Sequence, residues 1–146
     1  MGESILCARG VTKVFEAGRQ QVRALRGVDL EVRAGEFMAL VGPSGSGKTT
    51  FLNLAGALDV PTAGELTVLG RDIAALSKRE RADLRLRSLG FVFQAYNLVP
   101  VLTALENVEF VLELQGLGPE RHARARGVFQ ELGLADLADR RPGELS

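Results

Sequence analysis

One cysteine and one histidine are all that the 146 residues offer of the two side chains that most often hold transition metals or act as nucleophiles. With Cys7 alone an intrachain disulfide is excluded, and a zinc site would need several further ligands that the chain does not have. A reducing, intracellular compartment is the expectation. Charge of one sign is also lacking: 18 Lys and Arg stand against 18 Asp and Glu. No global field therefore draws the chain to nucleic acid or to an anionic membrane, and an anion must be caught locally. No apolar run approaches the roughly 18 residues that a membrane-spanning helix requires, so work at a membrane would depend on partners. The start, MGESILCARG, has an acidic residue and no apolar secretion core, and Leu6 stands where a myristoylation signal wants Ser or Thr. It is expected to be mature sequence. What is present is ordinary for a folded domain, with 46% apolar and 25% charged residues. The length suits one domain with its own core.

The first third reads as strands. Residues 5–8 are one candidate, and Val28, Leu30 and Val32 alternate with Asp29, Glu31 and Arg33, the period of a half-buried strand. The polar stretch 16–21, with Gly18 at its centre, suggests a hairpin connection and hence an antiparallel sheet. Ala34-Gly35 turns the chain into residues 37–41, a short apolar run that fits a strand buried on both faces of a parallel sheet. From Lys48 the period changes, with Phe51, Leu54, Ala55 and Leu58 forming one helical stripe that Pro61 ends. Residues 64–69 predict another strand before the Gly70-Arg71-Asp72 turn. Two capping boxes, Ser77 with Glu80 and Thr103 with Glu106, place helix starts. The first helix runs to about Ser88 and the second to about Gly116. Between them, residues 91–93 are a short apolar strand and 94–100 a loop. Pro119 suits the first turn of a last helix with the stripe Ala125, Val128, Phe129 and Leu132 and a stop at Gly133. The domain is mixed α/β.

The chemistry is concentrated in residues 42–50, GPSGSGKTT, which satisfy the P-loop pattern G-x-x-x-x-G-K-[ST] at Gly42, Gly47, Lys48 and Thr49. Each type has a physical reason. Glycines let the backbone curl so that successive N–H groups point at a phosphate, where a bulkier residue would block the approach. The helix that follows adds the positive end of its dipole. Lys48 can reach the β and γ phosphate oxygens, the Thr49 hydroxyl can ligate Mg2+, and Thr50 is a neighbour for the α-phosphate. The whole loop, Gly42, Pro43, Ser44, Gly45, Ser46, Gly47, Lys48, Thr49 and Thr50, is the expected ATP cradle. A chance match in a chain this long is roughly a one in a hundred event. The motif also lies between an apolar run and an amphipathic helix, as its mechanism demands.

The runs GEFMALVGPSGSGKTTFLNLAGALDVPTAGEL, GFVFQAYNLVPVLTALENV and LGLADLADRRPGELS, in this order and spacing, resemble the ATP-binding subunits of ABC transporters across essentially the whole chain. GALD after the P-loop and LTALENV further on are most like the lipoprotein-release and macrolide-export group. The resemblance implies a P-loop nucleoside triphosphate hydrolase fold of the ABC ATPase type, α/β. It would comprise an N-terminal antiparallel β subdomain, part of the parallel core sheet and part of the helical subdomain, as one incomplete nucleotide-binding domain over 1–146. It gives Phe15 the place of the aromatic that stacks on adenine, although Phe15 also reads as a core aromatic at a strand end. It gives Gln94 the place of the glutamine that contacts Mg2+ and the attacking water and relays nucleotide state to the membrane subunits. An ordinary loop glutamine is the plain alternative. Residues 95–108 would grip the membrane subunit, with Tyr96, Leu98 and Val99 as candidate contacts. The arginines at 79, 81, 85 and 87, interspersed with acids, read as a solvated helix face rather than a nucleic-acid patch.

The family's pattern would continue past Ser146, since only Leu145 and Ser146 of its glycine-rich signature are present, and no apolar strand ending in Asp-Glu follows the P-loop. His122 lies in a predicted helix ahead of the family's catalytic histidine and is expected at the surface. The C-terminal half of the core is thus expected to be missing, ATP turnover negligible, and residues 37–41 and 91–93 left with uncovered faces. In its complete form such a protein would bind ATP and Mg2+, pair head to tail with a second ATP-binding subunit, and drive transmembrane permease subunits in export or lipoprotein release. It would sit peripherally on the cytoplasmic face of the cell membrane. Two rival readings are a nucleotide- or partner-binding module that does not hydrolyse, and a DNA-maintenance ATPase of the same superfamily. The second would require long heptad coiled coils, and none begins here.

Overall fold

The computed structural model describes residues 2–18, 20–95 and 97–145. The chain divides into two compact units, Met1–Leu89 and Gly90–Ser146. In the first, β1 (Ser4–Ala17) and β2 (Gln20–Arg33) form a long antiparallel hairpin, as the alternation of Val28, Leu30 and Val32 predicts. The other edge of β1 pairs antiparallel with β3 (Ala63–Val68), which turns back into the two-residue β4 (Arg71–Asp72). The order is β2-β1-β3-β4. Two helices complete the unit, α1 (Lys48–Ala55) and α2 (Lys78–Ser88).

β1 changes the parity of its inward face partway along. Ala8 is buried and pairs with the buried Leu66, whereas beyond an irregularity between Ala8 and Val11 the buried residues are Val11 and Lys13. One added residue moves the following side chains to the other face of a sheet. The bulge is held by the Gly10 N–H, which donates to Asp29 Oδ1 at 2.7 Å. Under the continuous face lie Leu54 and Phe51 of α1, with Leu66, Val68 and Ile73, in one apolar cluster. Each fully buried Leu, Ile or Phe contributes about 1.5–3 kcal/mol relative to exposure. Ser77 and Glu80 make the predicted reciprocal cap of α2. Its arginines are used within the chain: Arg85 donates to the Ala57 carbonyl at 2.6 Å, and Arg87 pairs with Asp83 at 2.7 Å.

The second unit is built on α3 (Ala104–Leu114) and α4 (Arg121–Glu131), with short 3-10 turns at Ala135–Leu137 and Pro142–Glu144. Its core is Ala104, Leu105, Ala125, Phe129 and Ala138. The predicted stripe of α4 is only half used, since Val128 and Leu132 are exposed. Asn107 fastens the loop ahead of α3. Its Oδ1 accepts from the Val99 N–H at 2.7 Å, and its Nδ2 donates to the carbonyls of Val99, Leu102 and Thr103. His122 is at the surface as expected, with Nδ1 against Glu109 and Nε2 accepting from Arg126 Nε.

Two predicted strands are absent. Residues 37–41 and 91–93 take no regular structure, and Phe37 is 98% exposed and Val41 89%. A strand exists only if its N–H and C=O groups find a neighbouring ladder. Among the described residues every strand pairing is antiparallel and none involves these runs. Phe91 and Phe93 stack on each other instead, with centroids 5.6 Å apart.

Gly64 is the tightest point of the sheet. It has φ +87°, and a Cβ there would fall 2.3 Å from the Gly10 carbonyl oxygen. Gly64→Ala should therefore cost about 2–4 kcal/mol. Gly70→Ala, at φ +73° but in open space, should cost about 1–2 kcal/mol. Urea midpoints of the two variants against the parent chain check the ordering.

Candidate functional site

The loop between β2 and α1 is shaped by its glycines. Gly45 and Gly47 have φ of +77° and +92°, left-handed values that L side chains rarely adopt. At Gly42 a Cβ would lie 2.9 Å from Ser46 Oγ, and at Gly47 one would lie 2.6 Å from the Ala24 carbonyl oxygen. At Gly47 the loop thus lies directly against β2. A hollow of about 280 Å³ opens there, walled by Val22, Arg23 and Ala24 on the strand side and by residues 44–50 on the other. α1 begins in it, with Gly47 as its N-cap, no side-chain cap and no acidic residue in its first turn. The first N–H groups of a helix have no acceptor within it, so this end presents donors and partial positive charge that nothing on the helix itself offsets.

Lys48 reaches back across the loop. Its ammonium donates to the carbonyls of Gly42 at 2.7 Å and Pro43 at 2.8 Å and to Ser46 Oγ at 3.3 Å. Thr49 is exposed and Thr50 half-buried at the head of the helix. A glycine cradle, a helix N-terminus and a lysine held at the loop are together the donor set of an anion site, and they fit a phosphate chain. Among the described residues no group of three or more His, Cys, Asp or Glu converges to hold a metal. The Thr49 hydroxyl suits a divalent cation that arrives on phosphate oxygens, since Mg2+ is commonly held by few protein ligands plus phosphates.

A family model described as ABC transporter matches residues 25–146. The chain belongs to the ABC transporter family. A macrolide export ATP-binding/permease protein from Marinobacter nauticus is 48% identical over 93% of this chain and 21% of its own length. An uncharacterised ABC transporter ATP-binding protein from Thermotoga maritima is 45% identical over 93% of this chain and 58% of its own. A pyoverdine export ATP-binding/permease protein from Pseudomonas syringae is 45% identical over the full chain and 22% or 23% of its own length, depending on the strain. The chain thus spans well under two thirds of these relatives. Among solved structures, the ATP-binding cassette MJ0796, as a dimer bound to ADP and Pi, superposes with a TM-score of 0.88 at 40% identity, over 97% of this chain and 63% of that one. The fold is accordingly the P-loop type of the ABC ATPases, α/β.

The structure brings Phe15 to the same part of the hairpin as the hollow. Phe15 is paired across the ladder with Val22, which borders the hollow, and the residue is 42% exposed. Gln94 belongs to the second unit, exposed in a bend without regular structure. Leu98 is half-buried and Val99 partly exposed, with the Val99 backbone held by Asn107. Tyr96 and Ser146 lie outside the described residues.

Sequence reasoning passed over Lys13 and Asp59. Lys13 is 9% exposed, and its ammonium donates to Asp59 Oδ2 at 2.7 Å and to the Val60 carbonyl at 2.8 Å while lying 5.1 Å from the centre of the Phe15 ring. Partial burial pushes the Asp59 carboxyl upward, but the hydrogen bonds from Lys13 and the Val60 N–H, with the charges of Lys13 and Arg81, hold it below its usual value. A carboxyl depressed on folding adds stability that is present above its unfolded pKa, about 4, and is lost as pH falls through the folded value. Asp59→Asn should lower the urea midpoint at pH 7 and lose less stability than the parent chain between pH 5 and about pH 3. Paired urea titrations at these pH values check both statements.

Proposed function

We propose that this chain is the nucleotide-gripping part of an ABC transporter ATP-binding domain, its two units belonging to one domain, and that it binds ATP with Mg2+. The carrying observation is the P-loop seated against β2 at the open N-terminus of α1. Residues 44–47 offer backbone N–H groups to the phosphates, Lys48 carries the positive charge to them, and Thr50 supplies a hydroxyl at the α-phosphate end. Phe15 offers its exposed ring to the base. Thr49 would offer its hydroxyl to the Mg2+, which when bound neutralises phosphate charge, and the amide of Gln94 is of a type that can also ligate such an ion. Lys48 already spends all three of its protons on loop acceptors, so it engages a phosphate by exchanging one of these bonds.

In the whole protein we assign this segment to an exporter, in keeping with the macrolide and pyoverdine export proteins that it resembles; lipoprotein release is the related task. It would act on the cytoplasmic face of the membrane through permease subunits, with residues 95–108 as the contact region, and would pair head to tail with a second ATP-binding subunit. Hydrolysis needs a group that activates water. Beyond Gln94, residues 1–146 supply a cradle and no Asp-Glu pair at a strand end, so little turnover is expected from them alone.

Lys48→Ala should weaken Mg-ATP binding about tenfold to a hundredfold, the worth of hydrogen bonds to a charged group. Calorimetric titration of the folded variant and parent checks this, and equal affinities would remove the reading. Phosphate release by the 146-residue chain should match that of Lys48→Ala; release that depends on Lys48 would show that the segment hydrolyses ATP by itself.

A further inference from the structure

Lys13 is the only ionisable side chain buried among the described residues, and its surroundings explain what it is for. Removing an ammonium from water is costly unless it is paired, and an apolar residue of similar volume would commonly serve stability as well. Its contacts, however, reach two elements that the nucleotide must bridge. One is the segment that follows α1, gripped at Asp59 and Val60, and α1 is the helix that the P-loop starts. The other is the Phe15 ring, over which the ammonium lies at 5.1 Å from the centroid. Phe15 faces Val22 across the hairpin, and Val22 walls the hollow.

We propose that Lys13 is a positioning residue for base recognition, holding the Phe15 ring in place at the edge of the phosphate hollow and tying it to the helix of the P-loop. The ligand class is a purine nucleoside triphosphate, and the inference rests on the nucleotide reading above. The ammonium also draws on the π cloud of the ring. A ring so polarised presents a more electron-poor free face to an electron-rich purine, and offset stacking follows such electrostatics. Lys13 acts through Phe15 and touches no phosphate, so its contribution belongs to the base and is absent for phosphate alone.

The test compares Mg-ATP with Mg-tripolyphosphate, which has the phosphates and no base, on the 146-residue chain and on Lys13→Met, Phe15→Leu and their double variant. Lys13→Met and Phe15→Leu should each weaken ATP about threefold to tenfold. The double variant should be no weaker than Phe15→Leu, and tripolyphosphate should bind all four chains alike. A loss of tripolyphosphate affinity equal to that of ATP in Lys13→Met would overturn the proposal, as would additive losses in the double variant, which mean that Lys13 acts independently of the ring. If circular dichroism shows Lys13→Met unfolded, Asp59→Asn replaces it, keeping the ammonium and loosening its anchor. That variant should weaken ATP and spare tripolyphosphate, and unchanged ATP affinity would then overturn the proposal. Lys48→Ala separates the two readings. Loss of both ligands there leaves the phosphate site standing whatever Lys13 does, whereas unchanged tripolyphosphate affinity would remove the phosphate site itself.

Discussion

The backbone of Gly47 lies so close to that of Ala24 that a Cβ would meet the Ala24 carbonyl oxygen at 2.6 Å and Leu25 Cδ2 at 2.8 Å. This approach joins two parts of the first unit that could otherwise fold apart: the hairpin of β1 and β2, and the loop with its helix. It needs a residue without a Cβ and with a left-handed φ, and only glycine supplies both cheaply. Once the approach is made, Val22, Arg23 and Ala24 become a wall of the hollow, α1 opens into it, and Phe51 and Leu54 on the next turns of α1 enter the cluster under the sheet. The shape of the hollow and the packing of the core are therefore tied together by one contact.

The parts of this arrangement that rest on local chemistry are legible from residues alone. The P-loop, both capping boxes, the Val28, Leu30 and Val32 face and the buried Phe51 and Leu54 all follow from short-range spacing, and each is found. What escapes is what depends on distant residues. β1 reads as a strand only over 5–8, because the bulge at Gly10 breaks the alternation that periodicity looks for, yet the strand continues to Ala17. Lys13 carries a polar residue's signature at an inward position, and only the fold brings Asp59, 46 residues later, to meet it. Asn107 reads as a polar helix residue until its four bonds to the preceding loop are seen.

The apolar runs 37–41 and 91–93 fail in the opposite direction. Their composition calls for buried strands, and the structure gives them neither a strand nor burial. Strand formation is a property of a ladder, however, and no ladder reaches them among the described residues. Their exposure, with Phe37 and Val41 almost wholly in water, marks surface whose burial would be favourable by about 25 cal/mol per Å². The first run leads directly into the P-loop and the second into Gln94. Any element that ordered these segments would also fix the backbone leading into the P-loop and into Gln94.

The electrostatics of the loop follow from what is held back as much as from what is offered. α1 has no acidic residue in its first turn, although carboxylates are favoured at that position in helices generally. α2 and α3 have one each, Glu80 and Glu106, engaged in their capping boxes. A carboxylate at the head of α1 would neutralise the helix end and occupy its N–H groups, giving up the donors that an anion would use. Lys48 is restrained in a complementary way. The carbonyls of Gly42 and Pro43 and the Ser46 hydroxyl keep its ammonium on the loop, so the entropy of ordering a long side chain is largely met before any ligand arrives. On the reading proposed above, phosphate binding would be an exchange of neutral acceptors for charged ones at a cation already in place. The Lys48 bonds to the loop are already charge-assisted through the ammonium; a phosphate oxygen adds a full negative charge on the acceptor side, so on that reading the exchange gains Coulomb attraction, and the glycine-shaped cradle determines where it is made.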